Sequence, residues 1–151
     1  MLIKSIFLTI FLWSHLSAQK VEYLQSETFK QTNMPFSEAV RVGNLFFLSG
    51  QIGEVYTDIP GETKLVGGGI KPETIQTMEN IKSVLERNGL SLDNVVKCTC
   101  MLADISEWAE MSKEYIKFFP KNKPARSAFA GTGLAMGARV EIECIATVNE
   151  E

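Results

Sequence analysis

The apolar positions of this chain change their period several times, and each change marks an element. Val21 to Leu24 is a short strand candidate. In AVRVGNLFFLSGQIG, residues 39–53, Val40 and Val42 flank Arg41, Gly43-Asn44 supplies a turn, and Leu45 to Leu48 return, which predicts a hairpin. The returning strand is apolar on both faces. That predicts helices over one side of its sheet and a further layer, or another subunit, over the other. In GGGIKPETIQTMENIKSVLERNG, residues 67–89, the period lengthens to that of a helix. Ile75, Met78, Ile81, Val84 and Leu85 form a stripe, Pro72 and Glu73 suit a first turn, and Gly89 suits a left-handed stop.

NVVKCTCML, residues 94–102, reads as a strand with Val96, Cys98, Cys100 and Leu102 on one face and Lys97 and Thr99 on the other. A second helix is predicted from about Ile105 to Phe118, with Asp104 and Glu107 spaced as a capping box. Trp108, Met111, Tyr115 and Phe118 follow at helical spacing and read as core. A strand around Ala125 to Ala130, a glycine-rich connection and a final strand from Ala138 to Val148 close the chain. Without the short first strand the order is ββαβαββ. It fits a single α+β domain with one mixed sheet packed by two helices on one face. Along the final strand Val140, Ile142, Cys144 and Ala146 belong against the helices. Glu141, Glu143, Ile145 and Thr147 share the opposite face, which must meet water, a ligand or a polar subunit contact.

The first eighteen residues lie outside this domain reading. Lys4, the apolar run Ile6 to Trp13 and the ending His15-Leu16-Ser17-Ala18 have the plan of a signal peptide, and the run is too short to span a bilayer. The expectation is a leader over residues 1–18, a single domain over 19–151, and a periplasmic or secreted product with no membrane attachment after cleavage. Removing Lys4 takes the net charge from −3 to −4, so no basic surface is expected to draw in nucleic acid. His15 is the one histidine of the sequence. Its loss excludes Ser-His and Cys-His nucleophile pairs and imidazole metal ligands. Cys98, Cys100 and Cys144 lie in apolar strand patterns and read first as three buried thiols. Export keeps a Cys98–Cys144 or Cys100–Cys144 disulfide open.

Two glycine runs resemble phosphate-binding loops without completing them. Gly67-Gly68-Gly69 precedes a helix, yet no Lys-Ser or Lys-Thr pair follows. GTGLAMG, residues 131–137, has its last spacing one residue too long, and a strand follows where a dinucleotide site needs a helix. Arg126 is the more informative residue. Pro124-Ala125 gives it an extended entry at a sheet end, and its planar fork matches a carboxylate bidentately. Taken alone, it reads first as a structural ion pair with a glutamate and only second as a ligand clamp.

PFSEAVRVGNLFFLSGQIG, the long helical stretch with the cysteine strand after it, and KPARSAFAGTGLAMGARVEIECIA together resemble the reactive intermediate deaminase (RidA/YjgF) family over nearly all of residues 19–151. The resemblance implies a chorismate-mutase-like α+β fold assembled as a homotrimer, sheets facing inward, with clefts between subunits. It also implies hydrolysis of reactive 2-imino or 2-enamino acids to 2-oxo acids and ammonia, with no metal and no cofactor expected. Arg126 would grip the substrate carboxylate and Glu141 would orient the water or pass its proton. Phe36, Gly50, Ile52 and Ser127 would border the pocket, with Ser49 a weaker candidate. Phe36 stands where many members have Tyr in GPYS, and Ala128 where many have Cys. Those departures and the leader keep a second reading open, a trimer of the same fold that binds a small carboxylate without turning it over. RNA cleavage, a third reading, has neither a basic footprint nor a histidine behind it.

Overall fold

A computed structural model of the chain describes residues 19–148, so the expected leader lies outside the described residues. In chain order the elements are β1 (Val21–Leu24), α1 (Glu27–Gln31), β2 (Ala39–Val42), β3 (Leu45–Leu48), β4 (Gln51–Ile52), β5 (Glu54–Tyr56), β6 (Thr63–Leu65), α2 (Ile70–Arg87), β7 (Val95–Leu102), α3 (Trp108–Tyr115), β8 (Ala125–Ala130) and β9 (Val140–Thr147). The main sheet runs β1-β2-β3-β9-β7-β8, with β4 added against β9. All its pairs are antiparallel except β7 with β8. Strands β7 and β8 are parallel because the chain crosses back through α3 between them. The expected α+β plan is present. The β5–β6 ribbon and the short α1 are additions, built from segments whose apolar patterns are too brief to stand out.

The core lies between one face of the sheet and helices α2 and α3. Phe46, Leu48, Cys98, Cys100, Leu102, Val140, Ile142, Cys144 and Ala146 from the strands meet Met78, Ile81, Leu85, Met111 and Tyr115 from the helices. Removing each large apolar side chain from water contributes about 1.5–3 kcal/mol. Helix α2 ends as its sequence predicts. Gly89 takes φ +74°, and Leu90 N–H reaches Leu85 O at 2.9 Å while Gly89 N–H reaches Glu86 O at 3.1 Å.

Four expectations need correction. Ile75 is 41% exposed; the buried stripe of α2 runs through Ile70, Thr74 and Thr77 instead, which turns Ile75 away from the core. Val96 is also exposed, because a register shift between Val95 and Lys97 buries Val95 in its place. The second helix is divided. Asp104 accepts from Ser106 N–H over a 3-10 turn, Ile105–Glu107, while Glu107 holds Arg139 Nε at 2.8 Å rather than closing a capping box. The reading of three buried thiols gives way to a Cys98–Cys144 disulfide with Cys100 left as a buried thiol. Cys98 and Cys144 are direct partners across β7 and β9, so their side chains leave the sheet side by side on one face.

Candidate functional site

Strand β8 is the last strand of the sheet, paired only with β7, and its register sets Arg126 beside Cys98 and Ala128 beside Cys100. Residues opposite one another across a ladder share a face. Arg126 therefore leaves the sheet on the helix side, next to α3. Its Cζ lies 5.3 Å from the Trp108 ring centroid and 5.1 Å from that of Tyr115, a stacking that fixes the guanidinium plane and contributes about 0.5–1 kcal/mol per ring at an exposed site. A cavity of about 410 Å³ opens there, walled by Ser112, Lys113, Tyr115, Lys123, Pro124 and Arg126.

Two polar atoms of that wall, Ser112 Oγ and Tyr115 Oη, are buried and have no hydrogen-bond partner. Such groups cost free energy until something pairs with them. Burial also pushes the Tyr115 phenol far above its ordinary range, against the pull of the Arg126 charge, so it remains a donor at neutral pH. Among the described residues the ion pairs engage other groups, and none includes Arg126, Lys113 or Lys123. The cavity thus presents a planar cation free of any carboxylate partner, the donor that a carboxylate accepts, with the two unpaired hydroxyls buried in the wall behind it.

Glu141 lies on the other side of the sheet. It sits opposite Met101 of β7 and Ile52 of β4, on the face away from the helices. Burial, and then the neighbouring charge of Glu143, push its carboxyl above the ordinary carboxylate range. Gly50 leaves room for it: a Cβ at position 50 would stand 2.9 Å from Glu141 Cδ and 3.0 Å from Cγ. The absent side chain at Gly50 is thus a requirement of where Glu141 rests.

The other expected residues are spread between these two places. Ser127, one residue past Arg126, falls on the Glu141 side by strand alternation, and its hydroxyl accepts from Lys97 Nζ at 2.7 Å. Ile52 is buried, and its carbonyl accepts from Asn80 Nδ2 at 3.0 Å. Ser49 donates to Ser37 O at 2.7 Å. Phe36 is half-exposed, 5.8 Å from the Phe29 ring, and with Gly50 it lines a separate cavity of about 190 Å³ beside Glu38, Tyr56 and Arg87. In that cavity Glu38 is spent on the Arg87 guanidinium and on Ser26 N–H. Within one chain, then, Gly50 and Glu141 meet, and Arg126 stands apart from both.

Sequence reasoning missed the wall contributed by α3. Trp108 was expected in the core and is 44% exposed, because its ring covers Arg126 instead. Ser112, four residues on, lies one turn further along the same side of the helix. The spacing of Trp108, Ser112 and Tyr115 beside the buried Met111 was the available signal, hidden because a core stripe accounts for the same aromatics.

The family model described as Endoribonuclease L-PSP matches residues 26–148. Reactive Intermediate Deaminase A, chloroplastic, from Arabidopsis thaliana is 36% identical over 132 residues, covering 87% of this chain and 68% of the relative. The 2-iminobutanoate/2-iminopropanoate deaminase of Homo sapiens is 38% identical over 112 residues, 74% of this chain and 79% of that protein. Among solved structures, E. coli TdcF with bound serine superposes with a TM-score of 0.68 at 26% identity, over 77% of this chain and 90% of that one.

Proposed function

The chain belongs to the endoribonuclease L-PSP family, which includes the reactive intermediate deaminases, and from that premise we propose that it hydrolyses 2-imino acids, with Arg126 as the carboxylate clamp. The observation that carries the reading is the Arg126 guanidinium, held over Trp108 and Tyr115 in a cavity with no acidic side chain in its wall. The serine held by TdcF, an amino acid with the same carboxylate, agrees with a clamp of this kind.

The reaction asks little of the protein beyond placement. Water adds to C2 of R–C(=NH)–COO⁻, its oxygen bonding to carbon while a proton passes to nitrogen. The carbinolamine R–C(OH)(NH2)–COO⁻ then loses ammonia as its hydroxyl proton leaves for nitrogen, giving R–CO–COO⁻. Fixing the carboxylate and the water in attack geometry supplies much of such an acceleration. Glu141, with its raised carboxyl, carries the proton between water and nitrogen.

Arg126 and Glu141 leave opposite faces of one sheet, so a site that uses both needs two copies of the chain. The face that carries Glu141 also exposes Val21, Tyr23, Leu45, Phe47 and Phe129, an apolar surface suited to subunit contact. A chorismate-mutase-like homotrimer with sheets facing inward and a cleft between subunits satisfies both requirements. The assay is 2-oxo acid formation from imines freshly generated by an amino-acid oxidase, with semicarbazide competing for the imine. Arg126→Ala should abolish the acceleration while sedimentation still reports the trimer, and Arg126→Lys should also be poor because one ammonium cannot make two parallel bonds. Unchanged turnover in Arg126→Ala would refute the clamp. Phe36 brings no hydroxyl to the site, which favours the second reading, a carboxylate-binding trimer; 2-oxo acid binding without turnover would select it.

A further inference from the structure

The cavity beside Arg126 holds more positive charge than one carboxylate can neutralise. Lys113 from the last turn of α3 and Lys123 from the approach to β8 line it together with Arg126. No acidic side chain is in its wall. Among the described residues neither lysine is engaged in an ion pair, a state shared by Lys64 and Lys97, whereas Lys20, Lys30, Lys71, Lys82, Lys117 and Lys121 all have carboxylate partners.

We infer that this cavity selects substrates with a second acid group, namely 2-imino dicarboxylic acids of four or five carbons. The inference rests on the proposed role of Arg126 and adds the identity of the side chain. The guanidinium fork takes the carboxylate next to the imine. The distal carboxylate then enters the field of Lys113 and Lys123, whose long stems let the ammonium groups follow it. Both lysines are solvent-exposed, so their ammonium groups stay hydrated when the side chain is apolar, and discrimination comes from the added attraction to the distal carboxylate. A volume of about 410 Å³ accommodates a molecule of this size.

The test compares two stable five-carbon 2-oxo acids that differ only at the distal end, 2-oxoglutarate and 2-oxopentanoate. Both are titrated calorimetrically into the full protein at low salt. The expected result is at least tenfold tighter binding of the diacid. That ratio should fall to about twofold in Lys113→Gln/Lys123→Gln, and again in 0.5 M salt, where the Debye length shortens to about 4 Å. Circular dichroism of the double variant reports that it is folded. Equal affinities in the unmodified protein, or a preference that survives both substitutions, overturn the inference while leaving imine hydrolysis standing. Absence of binding by either acid, together with absence of turnover, overturns the Arg126 reading and this one with it.

Discussion

The disulfide offers the sharpest test of the fold, because its consequences can be worked from the chain alone. Cys98 and Cys144 are 46 residues apart in sequence. Closing a loop of that length removes unfolded-state entropy equivalent to about 4 kcal/mol at room temperature. For a domain of this size, that corresponds to a thermal midpoint lowered by about 10–15 °C when the protein is refolded under reductant. Both sulfurs are buried, Cys98 at 0% and Cys144 at 2% exposure, so the comparison is made between separately refolded oxidised and reduced samples. Cys100 does not scramble the pairing. Burial pushes its thiol up to about 11, which leaves it protonated at neutral pH. The direct assay is thiol titration in guanidinium chloride: one reactive thiol in the untreated protein, three after reduction. Three thiols without reductant would refute the pairing, and equal midpoints for the two samples would refute the loop-closure argument.

Two further tests address the Glu141 side of the sheet. Gly50→Ala puts a methyl where the Glu141 carboxyl rests; imine hydrolysis should fall about tenfold or more, with the thermal midpoint little changed, since the added methyl meets the far end of a flexible side chain that can turn aside. The pH profile follows from the direction of the Glu141 shift. A base must be ionised, and its carboxyl is held above the ordinary range by burial and then by Glu143, so turnover should fall with decreasing pH at a value above that of a free glutamate. Glu143→Gln removes one cause of the shift and should move that acid limb downward; a limb that does not move would disconnect Glu141 from catalysis.

The hairpin at Gly43, the long helix with its glycine stop and the buried face of the last strand were all legible from period and turn chemistry. These are local matters: a side-chain period of two or 3.6 residues and a backbone that needs φ > 0 leave their marks within a few positions. Arg126 and Glu141 stood out in the pattern only as charged side chains in strands; the roles proposed for them came from the family resemblance. What the period could not give was anything depending on which strand lies beside which. The Cys98–Cys144 pairing, the bulge that buries Val95 in place of Val96, and the separation of Arg126 from Glu141 across the sheet all follow from the ladders of β7 with β8 and β9. So does the role of Trp108, which has the spacing of a core residue yet covers Arg126 because the crossover lays α3 over the edge strand. Strand order is a long-range outcome, fixed when the whole apolar face is buried at once, and only the assembled sheet decides which side chains meet.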